Sequence, residues 1–358
     1  MTTNVLLIDD YGGPYLLDTI RCLSYEQAVN IFVVSPEKKT YFNTIPYSRY
    51  VTKYQYLKSS DPKEIIQEIS ALEKKWDINM ILPVKFSNYQ FITKYRRLFN
   101  GSVFPPMPTQ STFATVTNKF FLAEFLVNNS FPSPKTKEIS GDNIQQFNFP
   151  LLLKPRTDFE ENRIMECKSR EEYEEKISNI DFKADDYVIQ EKLNGEDIDI
   201  SLLAENGEIL AYTIQKGLVR EAYSFATGIE FLEDQKLLDA TKAIVKQLNW
   251  SGIAHLDFIY RKETDSYLLI DFNPRMWSTL IGSLYAGVNF PGLMISRAHH
   301  KEISFEGYQK TKFYLAKAAL QSKSFSVLKT SSWQYIVKDP LPEIAKGIAR
   351  IFYQSRGD

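Results

Sequence analysis

The chain is poor in the residues that most often announce a function. It has only two cysteines, Cys22 and Cys167. They stand far apart and match neither a redox pair nor a metal-thiolate spacing, so they read as reduced thiols of a cytosolic protein. Three histidines, His255, His299 and His300, argue against a His/Cys zinc site. Neither sign of charge dominates: 43 Lys and Arg face 44 Asp and Glu, a net charge of −1. Nothing in that balance points to nucleic acid or an anionic membrane as a partner. No apolar run approaches the ~20 residues of a membrane span. The opening run Val5–Ile8 is too short for a signal peptide and leads straight into Asp9 and Asp10. The expected location is therefore cytoplasmic. The Gly12-Gly13-Pro14 turn after that run lacks the GxGxxG pattern and does not predict a dinucleotide site.

What is present is the composition of a globular protein, with 44% hydrophobic and 24% charged residues. Aromatics at 14% supply material for large cores. At roughly 100–200 residues per domain, 358 residues suggest two or three domains. The apolar runs Val5–Ile8 and Ile31–Val34 flank Leu16, Leu17, Ile20 and Leu23 at helical spacing, a β-α-β unit. A helix over 62–76 and a buried strand Met80–Val84 extend it into a small doubly wound domain. The Pro/Ser/Thr-rich segment 100–112 reads as a crossing into a second unit. Thr117 is the expected cap of a helix from about Asn118 to Val127. Strands are expected at Phe149–Lys154, Tyr187–Lys192, Glu196–Leu203, Glu208–Ile214, 254–260 and 267–272, and helices at 169–179 and 234–248. Asn206-Gly207 is a strong hairpin signal. An amphipathic helix is expected over Pro342–Tyr353.

The chemistry concentrates in the last two strands. Alternate residues of a strand share a face, so LLIDFNPR places Asp271 with Asn273, and AHLDFIY places His255 with Asp257 and Ile259. If the strands are neighbours, Asp257, Asp271 and Asn273 converge as oxygen donors, two of them anionic, which suits a hard cation such as Mg²⁺. The plain alternative is a set of solvated turn acids. The apolar residues Leu268, Leu269, Ile270 and Phe272 argue for an enclosed Asp271, and an enclosed acid needs a partner or a metal. Arg275 carries a planar fork suited to a phosphoryl or oxyanion group, or to a salt bridge with the nearby acids. Lys154 ends an apolar strand, and Lys119 lies near a helix start, where anions are favoured. Each lysine alone is more readily a solvated surface residue than a phosphate ligand. The segment VIQEKLNGED reads as strand, connector, strand. Its connector suits an adenine edge, and Glu196 suits ribose hydroxyls or a plain turn position.

In this order and spacing, NKFFLAEFL with SFPSPKT, FPLLLKP, VIQEKLNGEDIDIS, GIAHLDFIY and LLIDFNPR resemble the ATP-grasp superfamily. The resemblance includes carboxylate–amine ligases of the carbamoyl-phosphate-synthetase and D-alanine-ligase kind. The resemblance spans about residues 110–295. It implies an α/β (α+β) chain with a doubly wound pre-ATP-grasp domain at 1–110. A two-lobed ATP-grasp domain would follow at 111–300, with a lid at about 113–190 and a C-terminal lobe at about 191–300. Residues 301–358 form an extension. It also implies ATP with Mg²⁺, or Mn²⁺ in its place, and small-molecule carboxylate and amine substrates. Homodimerisation is a family-based expectation only. By the same resemblance Lys119 and Lys154 hold phosphates, and Gln190, Glu191, Lys192 and Leu193 form the adenine hinge. Glu196 binds ribose, Asp257, Asp271 and Asn273 ligate the metal, and Arg275 stabilises the transferring phosphoryl group and the later oxyanion.

The chain departs from that pattern twice. The loop after Lys154, RTDFEENRI, has no glycine, although glycines let main-chain N–H groups approach phosphates. Glu160 and Glu161 would repel phosphate there, and Arg156 and Arg163 would offset them. Asp271 stands where the family often has Glu, with a reach about one methylene shorter. The leading expectation is an ADP-forming ligase. A kinase on the same scaffold and a nucleotide-binding protein without turnover are the alternatives. Substrate specificity is expected from the N-terminal domain, from Lys216, Arg220 and their loop, and from Trp277–Ser283.

Overall fold

The computed structural model describes residues 2–9, 14–36, 43–99, 101–157, 164–179, 181–220 and 223–354. The chain opens as its apolar spacing predicts. Strands β1 (Thr3–Ile8), β2 (Val29–Ser35), β3 (Val51–Tyr56) and β4 (Met80–Ile81) form a parallel sheet in the order β3-β2-β1-β4. Val5, Leu6 and Leu7 are fully buried in central β1, as expected for a parallel strand covered on both faces. The helix Pro14–Leu23 follows β1. The helix Pro62–Trp76 starts where Asp61 accepts bonds from the backbone of Lys63 and Glu64, and it buries Ile65, Ile66, Ile69 and Leu72.

A second sheet is antiparallel and runs β5 (Thr136–Glu138), β8 (Tyr187–Glu191), β6 (Leu151–Pro155), β7 (Met165–Cys167). Its small core contains Leu151, Leu153, Tyr173 and Ile189. The third sheet has six antiparallel strands, in the order β13 (Ser266–Asn273), β12 (Gly252–Arg261), β9 (Glu196–Glu205), β10 (Glu208–Val219), β11 (Gly228–Leu232), β14 (Lys312–Tyr314). Asn206 and Gly207 close the β9–β10 hairpin with φ of 51° and 82°. Both angles lie in the left-handed region that a two-residue turn requires and that this pair tolerates.

The period-two alternation of β9 and β12 divides the six-stranded sheet into two faces. Ile198, Ile200, Leu202, Leu256 and Phe258 share one core with Leu122 and Leu126 of the helix Lys119–Asn128 and with Leu237, Leu238 and Ile244 of the helix Gln235–Gln247. Asp199, Ser201, His255 and Asp257 occupy the alternate positions, so their side chains project from the opposite face. Farther along that face, Leu203 and Ile253 join the core that includes the parallel sheet.

Several local expectations need correction. Thr117 does not cap the helix Lys119–Asn128. Asn118 does, accepting from the backbone of Phe120 and Phe121. Thr117 ends a separate helix, Gln110–Thr117, and its hydroxyl donates back to the Phe113 carbonyl. That helix begins inside the segment read as a crossing and starts on its own cap, Thr109. Strands β11 and β14 were not anticipated. In the last segment, Asp339 is fully buried and accepts from the Ser48 hydroxyl at 2.8 Å and the Arg49 backbone at 2.9 Å. Arg21, itself 4% exposed, lies 3.9 Å from Asp339, 3.5 Å from Asp18 and 3.6 Å from Glu343. These contacts join the segment that carries the final helix, Leu341–Gln354, to the first helix and to the turn ahead of β3.

Candidate active site

A cavity of about 550 Å³ lies between the four-stranded and six-stranded sheets, with Tyr15 of the first helix at its edge. From the four-stranded sheet come Leu152 and Lys154 of β6 and Gln190 and Glu191 of β8, followed by Lys192 and Leu193. From the six-stranded sheet come His255, Asp257 and Ile259 of β12, Ile270, Asp271 and Asn273 of β13, and then Arg275 and Trp277. Leu152, Ile164, Leu193, Ile259 and Ile270 make part of the wall apolar, suited to a flat ring. Charged groups gather around Asp271.

The convergence depends on strand register. Strands β12 and β13 pair antiparallel with Asp257 opposite Asp271 and His255 opposite Asn273. Directly opposed residues share a face, so the acids meet rather than diverge. The Asn273 amide donates to Asp257 at 2.8 Å. The register shifts just beyond Asp257, where Phe258 pairs with Leu269 and leaves Ile270 as the extra residue of a bulge. The bulge brings Ile270 to the cavity beside Asp271, a placement that simple alternation does not give.

The two lysines are buried, Lys119 at 6% and Lys154 at 4% exposure. Lys119 Nζ lies 3.4 Å from Asp271 Oδ1. Arg275 is fixed from several sides. Its Nη2 donates to Asn273 Oδ1 at 2.9 Å, its Nη1 donates to the Met276 carbonyl at 3.1 Å, and its guanidinium sits 5.1 Å from the Tyr15 ring centre. Gln190 is buried and donates to the Thr136 hydroxyl at 3.0 Å. Lys192 pairs with Glu166 at 2.8 Å. That contact, with a hydrogen bond from Tyr223, holds the Glu166 carboxyl below its usual range.

Glu196 is not among the cavity-lining residues. Its side chain is 63% exposed and pairs with Lys216 at 2.5 Å. Arg220 lines the cavity and pairs with Asp197 at 2.7 Å. Arg156 turns to Glu138 at 2.9 Å. Glu160, Glu161 and Arg163 of the glycine-free loop lie outside the described residues.

Sequence reasoning missed a polar row beside the acids. Asp199 of β9 stands opposite Asp257, and Gln215 of β10 opposite Asp199. Ser201 stands opposite His255 and bonds its Nδ1 at 2.8 Å. Burial, and then the facing Asp257, push the Asp199 carboxyl up to about 7. Burial works against the charge of Asp257, but the His255 imidazole outweighs it and holds that carboxyl below its usual range. Burial also opposes a charge on His255, while Asp257 and Asp199 outweigh it and raise its pKa. The visible signal was the alternation of Asp197, Asp199 and Ser201 within EDIDIS. Their cross-strand partners could not be read from it.

Comparison with known proteins agrees with this architecture. Residues 183–319 match a family model described as ATP-grasp in the biosynthetic pathway with Ter operon. A D-alanine–D-alanine ligase B from Clostridium tetani (strain Massachusetts / E88) is 20% identical over 168 residues, which cover 43% of this chain and 47% of that protein. The match thus spans about half of that relative's length. Among solved structures, an L-amino acid ligase from Bacillus licheniformis superposes with a TM-score of 0.63 at 15% identity, covering 83% of this chain and 74% of that one. The biotin carboxylase domain of 2-oxoglutarate carboxylase from Hydrogenobacter thermophilus, solved with MgADP, ADP and bicarbonate, gives 0.63 at 14% identity, covering 86% and 73%. Among the described residues no helix is long and apolar enough to cross a membrane. Residues 183–319 are thus similar to an ATP-grasp family, and the chain shares the fold of these ligase and carboxylase structures.

Proposed function

We propose that the chain is an ADP-forming ligase that activates a small-molecule carboxylate as an acyl phosphate and passes it to an amine. The observation that carries this reading is one cavity lined by Lys154 and residues 190–193 on one side and by Asp257, Asp271, Asn273 and Arg275 on the other. In this reading residues 1–110 form the pre-ATP-grasp domain and 111–300 the ATP-grasp domain, while 301–358 are an extension.

The donor set fits the metal the family uses. Asp257 and Asp271 are anionic oxygen ligands from paired strands, and Asn273 adds a neutral oxygen. Magnesium bound there with the nucleotide neutralises phosphate charge. The chain's own side chains do the rest. Lys119 and Lys154 hold phosphate oxygens, and their burial strengthens the attraction by excluding water. Residues 190–193 present backbone groups to the adenine edge against the apolar wall. The pinned Arg275 fork meets the negative charge that grows as the substrate carboxylate attacks the γ-phosphorus and ADP leaves. It meets charge again when the amine adds to the acyl phosphate and phosphate departs. Positioning and electrostatics carry the rate, and no protein nucleophile takes part. Glu196 contributes to ribose binding only if it leaves Lys216.

The test is ADP and phosphate release over a panel of amino acids and small carboxylates, with Asp271→Asn as the control. ADP and free phosphate with an amide product, all lost in a folded Asp271→Asn protein, is the expected result. A stable phosphoester without free phosphate would replace the ligase with a kinase. ATP bound without ADP formation under any pair would remove catalysis.

A further inference from the structure

The polar row beside the acids has a second use. Strands β9 and β12 place Asp199 directly opposite Asp257 and Ser201 opposite His255. Asp199 is 5% exposed and His255 9%. With Nδ1 of His255 bonded to the Ser201 hydroxyl, Nε2 is the ring nitrogen that faces the acids. It lies 3.4 Å from Asp257 Oδ1 and 4.0 Å from Asp199 Oδ2. The imidazole is stacked on Trp277, with centroids 5.8 Å apart and planes 14° apart. One donor atom from each of Asp199, His255 and Asp257 lies within 4.8 Å of the others.

Apart from the His255 ring itself, the described residues place no cation against these carboxyls. Asp199 Oδ1 is buried and has no hydrogen-bond partner. Its Oδ2 accepts from Gln215 Nε2 at 3.3 Å, and Gln215 is held in that orientation because Thr279 donates to its Oε1 at 2.9 Å. The nearby guanidiniums are engaged elsewhere, Arg220 by Asp197 and Arg275 by Asn273 and the Met276 carbonyl. Two carboxyl groups opposed out of water need a shared proton or a positive ion between them. A proton, on a carboxyl or on the imidazole, is one solution, and an ion is the other. Two donors about 2.1 Å from one ion at a tetrahedral angle lie about 3.4 Å apart, which is the His255–Asp257 separation. The His255–Asp199 separation of 4.0 Å is about half an ångström longer than that spacing. A ring nitrogen with two carboxylates suits a first-row transition ion better than magnesium. The Ser201 hydroxyl is the outer partner that orients such a histidine.

We propose that Asp199, His255 and Asp257 form a second metal site that takes a divalent first-row transition ion through one imidazole nitrogen and two carboxylates. It lies one strand over from the Asp257, Asp271 and Asn273 group assigned above to the metal–nucleotide complex. It rests on the ligase reading only for the role of its neighbour, since binding here needs no nucleotide and no turnover.

The test uses the full chain stripped of metal and titrated with Mn²⁺ alone. Pulsed electron paramagnetic resonance reads whether an imidazole nitrogen couples to the bound ion. The wild type is expected to show that coupling, and Asp271→Asn to keep it. His255→Gln is expected to abolish it and weaken Mn²⁺ binding at least about tenfold, in line with loss of one ligand. Asp199→Asn, which keeps the side-chain volume, is expected to weaken binding by a similar factor. No nitrogen coupling in the wild type, coupling that survives His255→Gln, or coupling lost in Asp271→Asn would each overturn the proposal. If His255→Gln fails to fold by circular dichroism, the wild-type spectrum, Asp271→Asn and the Asp199→Asn isotherm still decide. Nitrogen coupling in a protein that does not bind Mg-ATP would remove the ligase reading and leave this site standing.

Discussion

Arg275 offers the sharpest test of the proposed chemistry, because the structure separates its charge from its geometry. Arg275→Lys keeps a positive group at the same point in the chain. It loses the planar fork that donates to Asn273 Oδ1 at 2.9 Å and to the Met276 carbonyl at 3.1 Å. It also loses the flat face set 5.1 Å from the Tyr15 ring centre. Removing one preorganised donor from a developing oxyanion slows turnover about 10²–10³-fold, or roughly 2.7–4 kcal/mol. Tyr15→Leu removes only the ring beneath the guanidinium, worth about 0.5–1 kcal/mol, and should slow turnover about two- to fivefold. The assay is ADP formation with the substrate pair found in the panel, read as kcat and KM for ATP. Expected is a fall in kcat for Arg275→Lys with KM for ATP changed less than about threefold, as for an interaction made only in the transition state. A kcat within tenfold of wild type, or a loss confined to KM, would refute the assignment of Arg275 to the reacting centre.

Other consequences are equally direct. Lys119→Met removes the cation 3.4 Å from Asp271 Oδ1 and should raise KM for ATP about tenfold, or ~1.4 kcal/mol, measured in the same assay. Asp339→Ala should destabilise the fold by about 3–5 kcal/mol in urea unfolding, because it removes a fully buried acceptor and leaves Arg21 short of a counter-charge. Burial raises the Asp18 carboxyl from 3.8 to about 6, against the opposing pull of Arg21 and Lys346 and with the help of Glu343. The folded state therefore holds that proton more tightly than the unfolded chain, and stability falls as pH rises from about 4 to above 6. Asp18→Asn should abolish this loss, about 1.4 kcal/mol of it between pH 5 and 7.5. A wild-type minus variant difference that stays flat across that range would contradict it.

Much of the layout of the candidate site was legible because its signals are local. The Asn206-Gly207 hairpin follows from two residues that tolerate positive φ, and the Asp271 and Asn273 pair follows from strand alternation. Whether Asp257 meets them was not local, since it depends on the β12–β13 register, which sequence spacing leaves open. The bulge at Ile270 and the alignment of Asp199 with Asp257 are decided by pairing between strands far apart in the chain, so no single segment announces them. Thr117 and Asn118 are adjacent cap formers, and the choice fell to Asn118 because Thr117 still belongs to the preceding helix. Strands β11 and β14, at five and three residues, carry too few positions to show a period.

The edge strand β14 begins only at Lys312, yet it completes a sheet whose β9 starts at Glu196. Asp339 then reaches back to Ser48 and Arg49. During synthesis the ribosome must therefore release most of this polypeptide before the sheet gains its outer border and the N-terminal unit its last clasp. Pairings so distant along the chain form slowly, so nascent molecules spend that interval with the Gly228–Leu232 border bare, open to chaperones or to neighbouring chains.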